Sequence, residues 1–408
     1  MKQPLRIFYS LKLLHEPLLQ IMVSSSLIMV MGTNIIYPVL PVIHDSLHIP
    51  KAQIGLVISA FTFPAVFMAP LAGFVADLRG RKWVMALGLL LYGVAGLSIS
   101  LTGSFKWLLF LRLVQGIGYS GVMPLVVVLI GDSFTKEQET AAQGMKVFVD
   151  RFGTLFLPPL AGIMGVLAWQ LPFVLYGFAI PLAFCVLRWV PEPQIIRHKR
   201  VLPYFKDVFA LIRRLYCLTI FSISSLRHFL QVGFFTYLPI FAINTMGISV
   251  AKGGFLFTLY AVGAMLTSSQ LGLLALRFQR INLVILAFFI QGICLLIVPA
   301  VPNILALIVV MLFFGLANGI ISPSHKSLLT QSAPGKLRGG VVSADRVLQN
   351  ICKTVSPLIA GLILSLSKVE MVFPILGAIA LVWVISVFVL NIWGYLQPGK
   401  ELTPDMAG

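Results

Sequence analysis

The sequence predicts an all-α polytopic membrane protein in which twelve transmembrane helices form two six-helix bundles. Three observations lead to this prediction. Of the 408 residues, 59% are hydrophobic and only 11% are charged, which is far from the usage of soluble proteins. About twelve apolar stretches reach the roughly 20 residues that a helix needs to cross a bilayer. The two halves of the chain also resemble each other, which indicates a duplicated unit.

The duplication is visible when the chain is shifted by 199 residues against itself. This shift, without a gap, pairs Gly55 with Gly254 and later Gly116 with Gly315. Because each half contains several membrane-crossing stretches, the duplicated unit is a membrane bundle, and two facing bundles are the usual plan of a secondary transporter. The other matched pairs are Ala65/Ala264, Gly73/Gly272, Ala76/Ala275, Arg81/Arg280, Pro124/Pro323, Pro158/Pro357, Ala161/Ala360 and Gly162/Gly361.

Each predicted span is an apolar block long enough to cross a bilayer. The first is too long for a signal-peptide core and lacks an obvious cleavage site, so we expect it to be retained. The connections are short and leave no room for a soluble catalytic domain. The blocks lie near 19–43, 52–76, 83–102, 107–130, 141–166, 169–190, 215–243, 253–276, 281–301, 303–330, 339–366 and 370–393.

These blocks divide the chain into an N-terminal bundle at 1–190, a cytoplasmic linker at 191–214, and a C-terminal bundle at 215–408 with a short C-terminal tail. The linker contains a basic cluster followed by apolar residues among charges. Two interpretations of this second part are open, namely an amphipathic helix on the inner membrane surface and a disordered basic linker.

The net charge of +17 is explained by the membrane rather than by nucleic acid. Most of the 30 Lys and Arg residues lie in the two tails and in every second loop, including Arg79, Arg81 and Lys82. This positive-inside bias predicts a multi-pass protein of the cell (cytoplasmic) membrane with both termini in the cytoplasm. The lipid bilayer is therefore an expected partner, and nucleic acid is not.

The loop between the second and third spans reads GFVADLRGRK over residues 73–82. Gly73 lets two helices approach closely, and Asp77 caps a helix end or pairs with Arg81 across the turn that Gly80 permits. The loop resembles the signature loop of the major facilitator superfamily, although Leu78 stands where an arginine usually follows the aspartate. The residues that the resemblance assigns to gating are Gly73, Asp77, Gly80, Arg81 and Lys82.

Two further motifs resemble elements of the same superfamily. Arg112, Gln115 and the glycines that follow, at the start of the fourth span, resemble an Arg-x-x-Gln-Gly-x-Gly pattern of its proton antiporters. A charge on Arg112 is expensive unless it faces the bundle interior, and snorkelling to the outer interface is the open alternative. The fifth span resembles a Gly-x-x-x-Gly-Pro-x-x-Gly-Gly element of the exporter branch, with Leu157 and Ala161 replacing two glycines. The residues of this antiporter helix motif are Gly153, Pro158, Pro159 and Gly162.

Over its whole length the chain resembles the twelve-span drug:proton antiporters of this superfamily. The resemblance implies the major facilitator fold and a secondary active transporter that exports small molecules by proton antiport, as in drug or multidrug efflux. Two alternatives stay open: an exporter of an endogenous anionic or polar metabolite (siderophore, sugar or amino-acid derivative), and a proton-coupled importer. The expected partners are a small-molecule substrate and protons, and the chain is expected to act as a monomer.

Only two acids, Asp150 and Asp345, lie clearly within predicted spans. Antiport requires a group that exchanges its proton between the two faces of the membrane, and a nearby guanidinium changes the proton affinity of a carboxylate. We therefore predict that Asp150 carries proton coupling and that Arg112 tunes it. The alternative is a static ion pair between Asp150 and Lys146, which lie four residues apart on one helix.

Polar side chains at membrane depth are candidates for the substrate cavity, and they are mainly basic. This fits an anionic or polar uncharged substrate better than a lipophilic cation. The alternative is that several of them lie near cytoplasmic helix ends and snorkel to the interface. The cavity candidates are Asn34, Gln115, Arg227, His228, Asp345 and Arg346.

Other functional classes lack their sequence patterns. The chain contains no phosphate-binding loop and no nucleophile-elbow or zinc-protease motif, so an ATP-driven pump or an enzyme is not predicted. The four cysteines are scattered through apolar segments without ligand spacing. The sequence therefore predicts no metal site and no cofactor.

Overall fold

The computed structural model describes residues 16–192, 209, 213, 215–332 and 337–393, with the backbone but not the side chains of Asp77, Lys136, Glu137 and Arg338. Within these residues, twelve helices are long and apolar enough to cross a membrane, and no strand occurs. This confirms the predicted all-α polytopic fold. We number the spans α1 to α12, and their bounds are Pro17–Leu47, Lys51–Ala76, Arg81–Ile99, Phe105–Ser133, Gln138–Leu167, Leu171–Trp189, Leu215–Asn244, Val250–Arg277, Arg280–Ala300, Ile304–Gln331, Gly339–Leu366 and Val369–Ile392.

Five of the spans are built from shorter pieces, namely α1, α2 and α6, together with α9 and α12, which each include a 3₁₀ turn at one end. In α1, the helix Pro17–Asn34 is followed by a 3₁₀ turn at Tyr37–Val39 and by a helix at Leu40–Leu47. In α2, Gly55–Thr62 is followed by Pro64–Arg79, and α6 contains the 3₁₀ turn Leu175–Phe178 before the helix Ala179–Trp189. In α1 and α2 a proline stands near the start of the following helical piece, where its missing N–H costs no hydrogen bond.

Short sequence signals fix several helix ends. Gly80 has a φ of 107°, which a side chain with a Cβ rarely adopts, and it turns the chain between α2 and α3. Thr135 and Gln138 form a capping box at the start of the helix Lys136–Leu167, which contains α5. At the start of α10, the Asn303 side chain accepts a hydrogen bond from the Ala306 N–H at 3.0 Å.

The described helices fall into two compact units whose boundaries differ from the predicted division at residues 190 and 215. The first unit comprises Met1–Arg197, Thr236–Thr258 and Pro357–Ser365, and the second comprises His198–Phe235, Leu259–Ser356 and Leu366–Gly408. The first unit thus contains α1 to α6 together with one end each of α7, α8 and α11. The division into two six-helix bundles remains a prediction, and most of the predicted linker lies outside the described residues.

Each unit contains one close backbone contact that the duplication repeats. In the first unit, Gly116 of α4 lies so close to the Phe61 carbonyl of α2 that a Cβ on the glycine would overlap it. In the second unit, Gly315 of α10 meets the Tyr260 carbonyl of α8 in the same way. The shift that pairs the glycines also pairs Phe61 with Tyr260. Both halves therefore use glycine to bring equivalent helices into backbone contact.

The prediction that Gly73 allows a close helix approach is not met in this structure. Among the described residues, no atom lies within 4 Å of the position that a Cβ on Gly73 would take, and the same holds for its repeat partner Gly272. Gly73 is half-buried and lies six residues before the end of the helix Pro64–Arg79, where the neighbouring space is open. The sequence showed a glycine on a helix but not which helix faces it.

We expect Gly116→Leu and Gly315→Leu each to destabilise the folded protein, because the new side chain overlaps a backbone carbonyl that cannot move without displacing a helix. Overpacking of this kind costs about 1–3 kcal/mol. The effect is measured by heating the protein in detergent and recording the loss of monodisperse protein as the sign of unfolding. Gly73→Leu is the matched control and should unfold within a few degrees of the unmodified protein. Equal destabilisation by all three substitutions would contradict the contacts described for Gly116 and Gly315.

Candidate functional site

Arg112 lies at the centre of a fully enclosed network in the first unit. Its exposed fraction is 0%. The guanidinium donates hydrogen bonds to the Gly32 carbonyl at 2.9 Å and to the Val57 carbonyl at 3.3 Å. It also donates to the Gln115 side-chain oxygen at 2.8 Å and lies 4.3 Å from the centre of the Phe61 ring. Three acceptors and an aromatic face thus offset the cost of a charge at membrane depth.

Two predictions concern these residues, namely that Arg112 tunes Asp150 and that Gln115 lines the substrate cavity. Arg112 is surrounded by α1, α2 and its own helix, and it binds partners other than those of Asp150. Gln115 has an exposed fraction of 0% and serves as an acceptor for Arg112, so it does not line an accessible cavity in this structure. The two residues therefore act together as an internal anchor that ties α4 to α1 and α2.

Asp150 of α5 belongs to a separate cluster in the same unit. Its carboxylate is 2.7 Å from the Lys146 ammonium, and it accepts a hydrogen bond from the Ser26 hydroxyl of α1 at 2.5 Å. The Lys146 and Asp150 side chains are 7% and 19% exposed. The predicted pair along α5 is therefore present, and Ser26 extends it to a second helix. Sequence reasoning missed Ser26, although the run Ser24-Ser25-Ser26 within an apolar span was a signal.

Asn34, the cavity candidate in α1, is half-buried and turns back on its own helix. Its side-chain amide donates a hydrogen bond to the Val30 carbonyl at 2.8 Å. This bond uses a donor of the amide at the end of the helix Pro17–Asn34, just before the 3₁₀ turn. The arrangement leaves the second N–H and the carbonyl oxygen of the amide as the groups that a ligand can contact.

The second unit contains a larger ionisable cluster, built around Asp345 of α11. The Asp345 carboxylate lies 3.4 Å from the His325 imidazole of α10 and accepts a hydrogen bond from Gln349 at 2.6 Å. The Asp345 and His325 side chains are 2% and 4% exposed. His325 and Gln349 were not among the predicted site residues. His325 could be found only with a neighbouring helix in view, because it lies on a different span from Asp345, whereas Gln349 lies four residues from Asp345 on the same helix.

Three cations lie near this acid. Lys353 of α11 interacts electrostatically with Arg227, Arg346 and Asp345. His228 of α7, which is buried, interacts with Arg227 and Lys353. The structure therefore brings four of the predicted cavity residues, Arg227, His228, Asp345 and Arg346, into one region of the second unit. With three cations and one carboxylate, this region carries an excess of positive charge.

The predicted gating loop is held by acidic partners that the sequence motif does not include. Arg81 forms an ion pair with Asp132 at the end of α4. The Arg81 N–H donates to the Glu192 carboxylate at 2.7 Å, and Glu192 also lies beside Gly80. The backbone of Asp77 is in the last turn of the helix Pro64–Arg79, and its side chain is outside the described part of the structure. Lys82 follows at the start of α3 and is half-buried.

The antiporter helix motif makes backbone contacts within the first unit. Gly153 packs against Leu27 of α1, where a Cβ would lie 2.6 Å from its methyl group. Further along α5, the Pro158 carbonyl lies 2.6 Å from the position of a Cβ on Gly254 of α8. A Cβ on Gly162 would be 3.0 Å from the Val250 carbonyl. Pro158 and Pro159 are both buried. These residues bring α5 against α8 without intervening side chains.

The duplication repeats this arrangement between α2 and α11. Gly55 meets the Pro357 carbonyl, and Gly361 meets the Ala52 carbonyl. Tyr237 of α7 donates its hydroxyl hydrogen to the Pro357 carbonyl at 3.2 Å. We call this double set of contacts the glycine seam, and it comprises Gly55, Pro158, Gly162, Gly254, Pro357 and Gly361. Every member of the seam belongs to the first unit.

Comparison with known proteins agrees with this architecture. The family profile of the Major Facilitator Superfamily matches residues 22–344 and 245–404. A bacillibactin exporter of Bacillus subtilis (strain 168) is 29% identical over 157 residues, which are 37% of this chain and 39% of the relative. The quinolone resistance protein NorA of Staphylococcus aureus (strain Mu50) is 29% identical over 154 residues, 38% of this chain and 40% of the relative. The aligned segments thus span about two fifths of each of these relatives.

Solved structures with the same fold cover nearly the whole chain. A POT family transporter in complex with a thioalcohol-conjugated peptide has a TM-score of 0.78 at 11% identity, over 92% of this chain and 96% of that one. The nucleoside transporter NupG has a TM-score of 0.76 at 15% identity, over 92% and 99%. At these identities the likeness concerns the fold alone. The profile match over most of the sequence nevertheless shows that the chain belongs to the Major Facilitator Superfamily, whose members are membrane transporters rather than enzymes.

Proposed function

We propose that this transporter exports small molecules across the cytoplasmic membrane by proton antiport, with drugs among its substrates. The observation that carries the proposal is the cluster of Asp150, Lys146 and Ser26 on α5 and α1. A carboxylate held at membrane depth by one cation and one hydroxyl gains or loses a proton when those partners move. The two relatives named for export and for quinolone resistance support the direction of transport.

The position of Asp150 on α5 supplies a route from proton binding to helix movement. The same helix carries Pro158 and Gly162, which are its contribution to the glycine seam. A proton on Asp150 cancels its ion pair with Lys146 and weakens the tie between α5 and α1. Because close packing permits only discrete arrangements, a shift of α5 would open the seam rather than deform it gradually. In this proposal, residues 1–190 and 215–408 move against each other in alternating access. Proton exchange at Asp150 drives this movement by opening and closing the glycine seam.

We also propose a role for the gating loop, which lies at the end of α2 opposite to Gly55 of the glycine seam. Arg81, Asp132 and Glu192 tie the start of α3 to the ends of α4 and α6. We assign Asp77 to a latch that holds one of the two transport states, and Gly73, Gly80 and Lys82 to the same loop. The bias of basic residues supports a cytoplasmic position for this loop and both termini. We assign the transporter to the cell membrane as a monomer.

The positive region of the second unit favours an anionic or polar substrate. Arg227, Arg346 and Lys353 outnumber the one carboxylate among them. An anion would offset this excess charge in a setting where water screens it poorly. Export of an endogenous anionic or polar metabolite is therefore the second candidate function, with Asn34 as a further polar contact. A proton-coupled importer would use the same groups in the reverse direction.

Everted membrane vesicles that contain the transporter should take up exported substrates when their interior is acidified. We expect an uncoupler to abolish nearly all of this uptake, because the proton gradient is the only driving force in the proposal. A panel of quinolones, lipophilic cations and organic anions separates the candidate functions. Accumulation that persists without a gradient would contradict antiport, and uptake only into right-side-out vesicles would show import.

Asp150→Asn should abolish proton release on addition of substrate, since the amide has no proton to exchange. The substitution leaves the Lys146 ammonium buried without its carboxylate, which costs about 3–5 kcal/mol. The double variant Lys146→Gln/Asp150→Asn removes both charges and keeps the test valid if the single variant does not fold. Asp45→Asn, at an exposed position near the end of α1, is the control. Unchanged proton release from the double variant, together with its loss in Asp345→Asn, would move the coupling role to Asp345.

Asp77→Asn should reduce substrate efflux by at least about tenfold while membrane insertion and thermal unfolding stay unchanged. The reason is that a latch at a helix end needs a charged acceptor, whose interaction with a helix terminus reaches about 2 kcal/mol when it is partly buried. Efflux from cells at matched protein levels is the measurement, and Asp45→Asn again controls for loss of one carboxylate. Efflux at the unmodified rate would remove Asp77 from the gating mechanism.

A further inference from the structure

The two halves of the chain differ at one predicted cytoplasmic corner in how an arginine is paired. In the first unit, Arg81 is paired with Asp132, and Glu192 binds the Arg81 N–H. The shift of 199 residues that relates the halves pairs Arg81 with Arg280, Asp132 with Gln331, and Glu192 with Asn391. The arginine is therefore kept in the second half, whereas both carboxylates are replaced by neutral amides.

The three second-half residues still lie together, because all of them line one cleft in the second unit. The cleft has a volume of about 790 Å³ and is also lined by Gln279, which replaces Gly80. The lining residues that the structure describes include no acid, and Arg280 is the single charged residue among them. The walls combine hydroxyl groups of Tyr216 and Thr219 with apolar side chains such as Ile220, Ile281 and Leu328.

The amides of the cleft do not take over the task of the missing carboxylates. Asn391 donates a hydrogen bond to the Asn282 side chain at 2.8 Å, and Gln331 donates to the Ser327 hydroxyl at 3.4 Å. Within the described residues, the Arg280 guanidinium has neither a hydrogen-bond nor an ion-pair partner. In the first unit the equivalent guanidinium is satisfied from within the protein, so the second unit has an open position for an anion.

We propose that this cleft binds a phosphate group on the cytoplasmic side of the membrane. Arginine suits phosphate because its planar guanidinium donates two parallel hydrogen bonds to it. Basic pockets between transmembrane helices on the cytoplasmic side bind the headgroups of anionic lipids, and the apolar walls fit the rest of an amphipathic molecule. The phosphate belongs either to a lipid headgroup or to a solute. In both cases the phosphate does in the second half what the carboxylates of Asp132 and Glu192 do in the first. It ties together the ends of α7, α9, α10 and α12.

Thermal unfolding of the full-length protein in lipid nanodiscs tests the proposal. One arm compares phosphatidylglycerol with phosphatidylcholine, and a second adds inorganic phosphate to phosphatidylcholine discs at matched ionic strength. We expect the bound anion to raise the midpoint of unfolding by about 2–4 °C. The effect should disappear in Arg280→Gln. It should also disappear in Gln331→Asp, which restores the carboxylate of the first half and satisfies Arg280 from within the protein.

Arg277→Gln is the matched control, because Arg277 is an exposed arginine near the same turn that does not line the cleft. It should keep the full response. A response to phosphatidylglycerol alone identifies a lipid headgroup, and a response to inorganic phosphate identifies a solute. If phosphate and lipid stabilise the Arg280→Gln and Arg277→Gln variants equally, the effect is a diffuse surface attraction and the proposal is wrong. The absence of stabilisation in the unmodified protein would also overturn it.

Discussion

The direct approach of one helix backbone to another is the constraint on which this structure depends. Hydrophobic side chains do not hold helices together in a lipid environment, since lipid is as apolar as they are, so close packing and hydrogen bonds must do so. Gly116 and Gly315 place α4 on α2 and α10 on α8 through the same pair of atoms. A larger residue at either position would separate the helices and expose polar backbone groups to an apolar surrounding.

The duplicated halves keep their packing residues but change their charges. The pair Lys146 and Asp150 in α5 corresponds by the 199-residue shift to Asp345 and Gln349 in α11. Both pairs are bonded between residues four apart, at 2.7 Å and 2.6 Å. One pair is an ion pair and the other joins an acid to an amide. A symmetric scaffold thus holds two chemically different sites, which agrees with the proposal that the first serves proton exchange and the second attracts the substrate.

Spacing in the sequence predicted contacts within a helix better than contacts between helices. The Lys146 and Asp150 pair follows from helical geometry alone, and twelve spans follow from hydropathy. The partners that come from another helix could not be predicted from spacing. These are Ser26 for Asp150 and Asp132 for Arg81. They depend on how the helices are rotated against one another, as does the open space beside Gly73. A single sequence fixes the face of a helix on which a residue lies but not what that face meets.

Because the sequence does not show what a helix face meets, it linked Arg112 with Asp150. In the structure the two residues have different surroundings. Arg112 is completely enclosed and makes three hydrogen bonds to α1, α2 and its own helix. Removing it from these partners would leave a buried charge and buried acceptors unsatisfied, at about 3–5 kcal/mol. Asp150 keeps 19% of its side chain exposed, and a proton can neutralise it in place. In the proposed transport cycle, the helices therefore move around a fixed arginine, and the carboxylate is the group that switches.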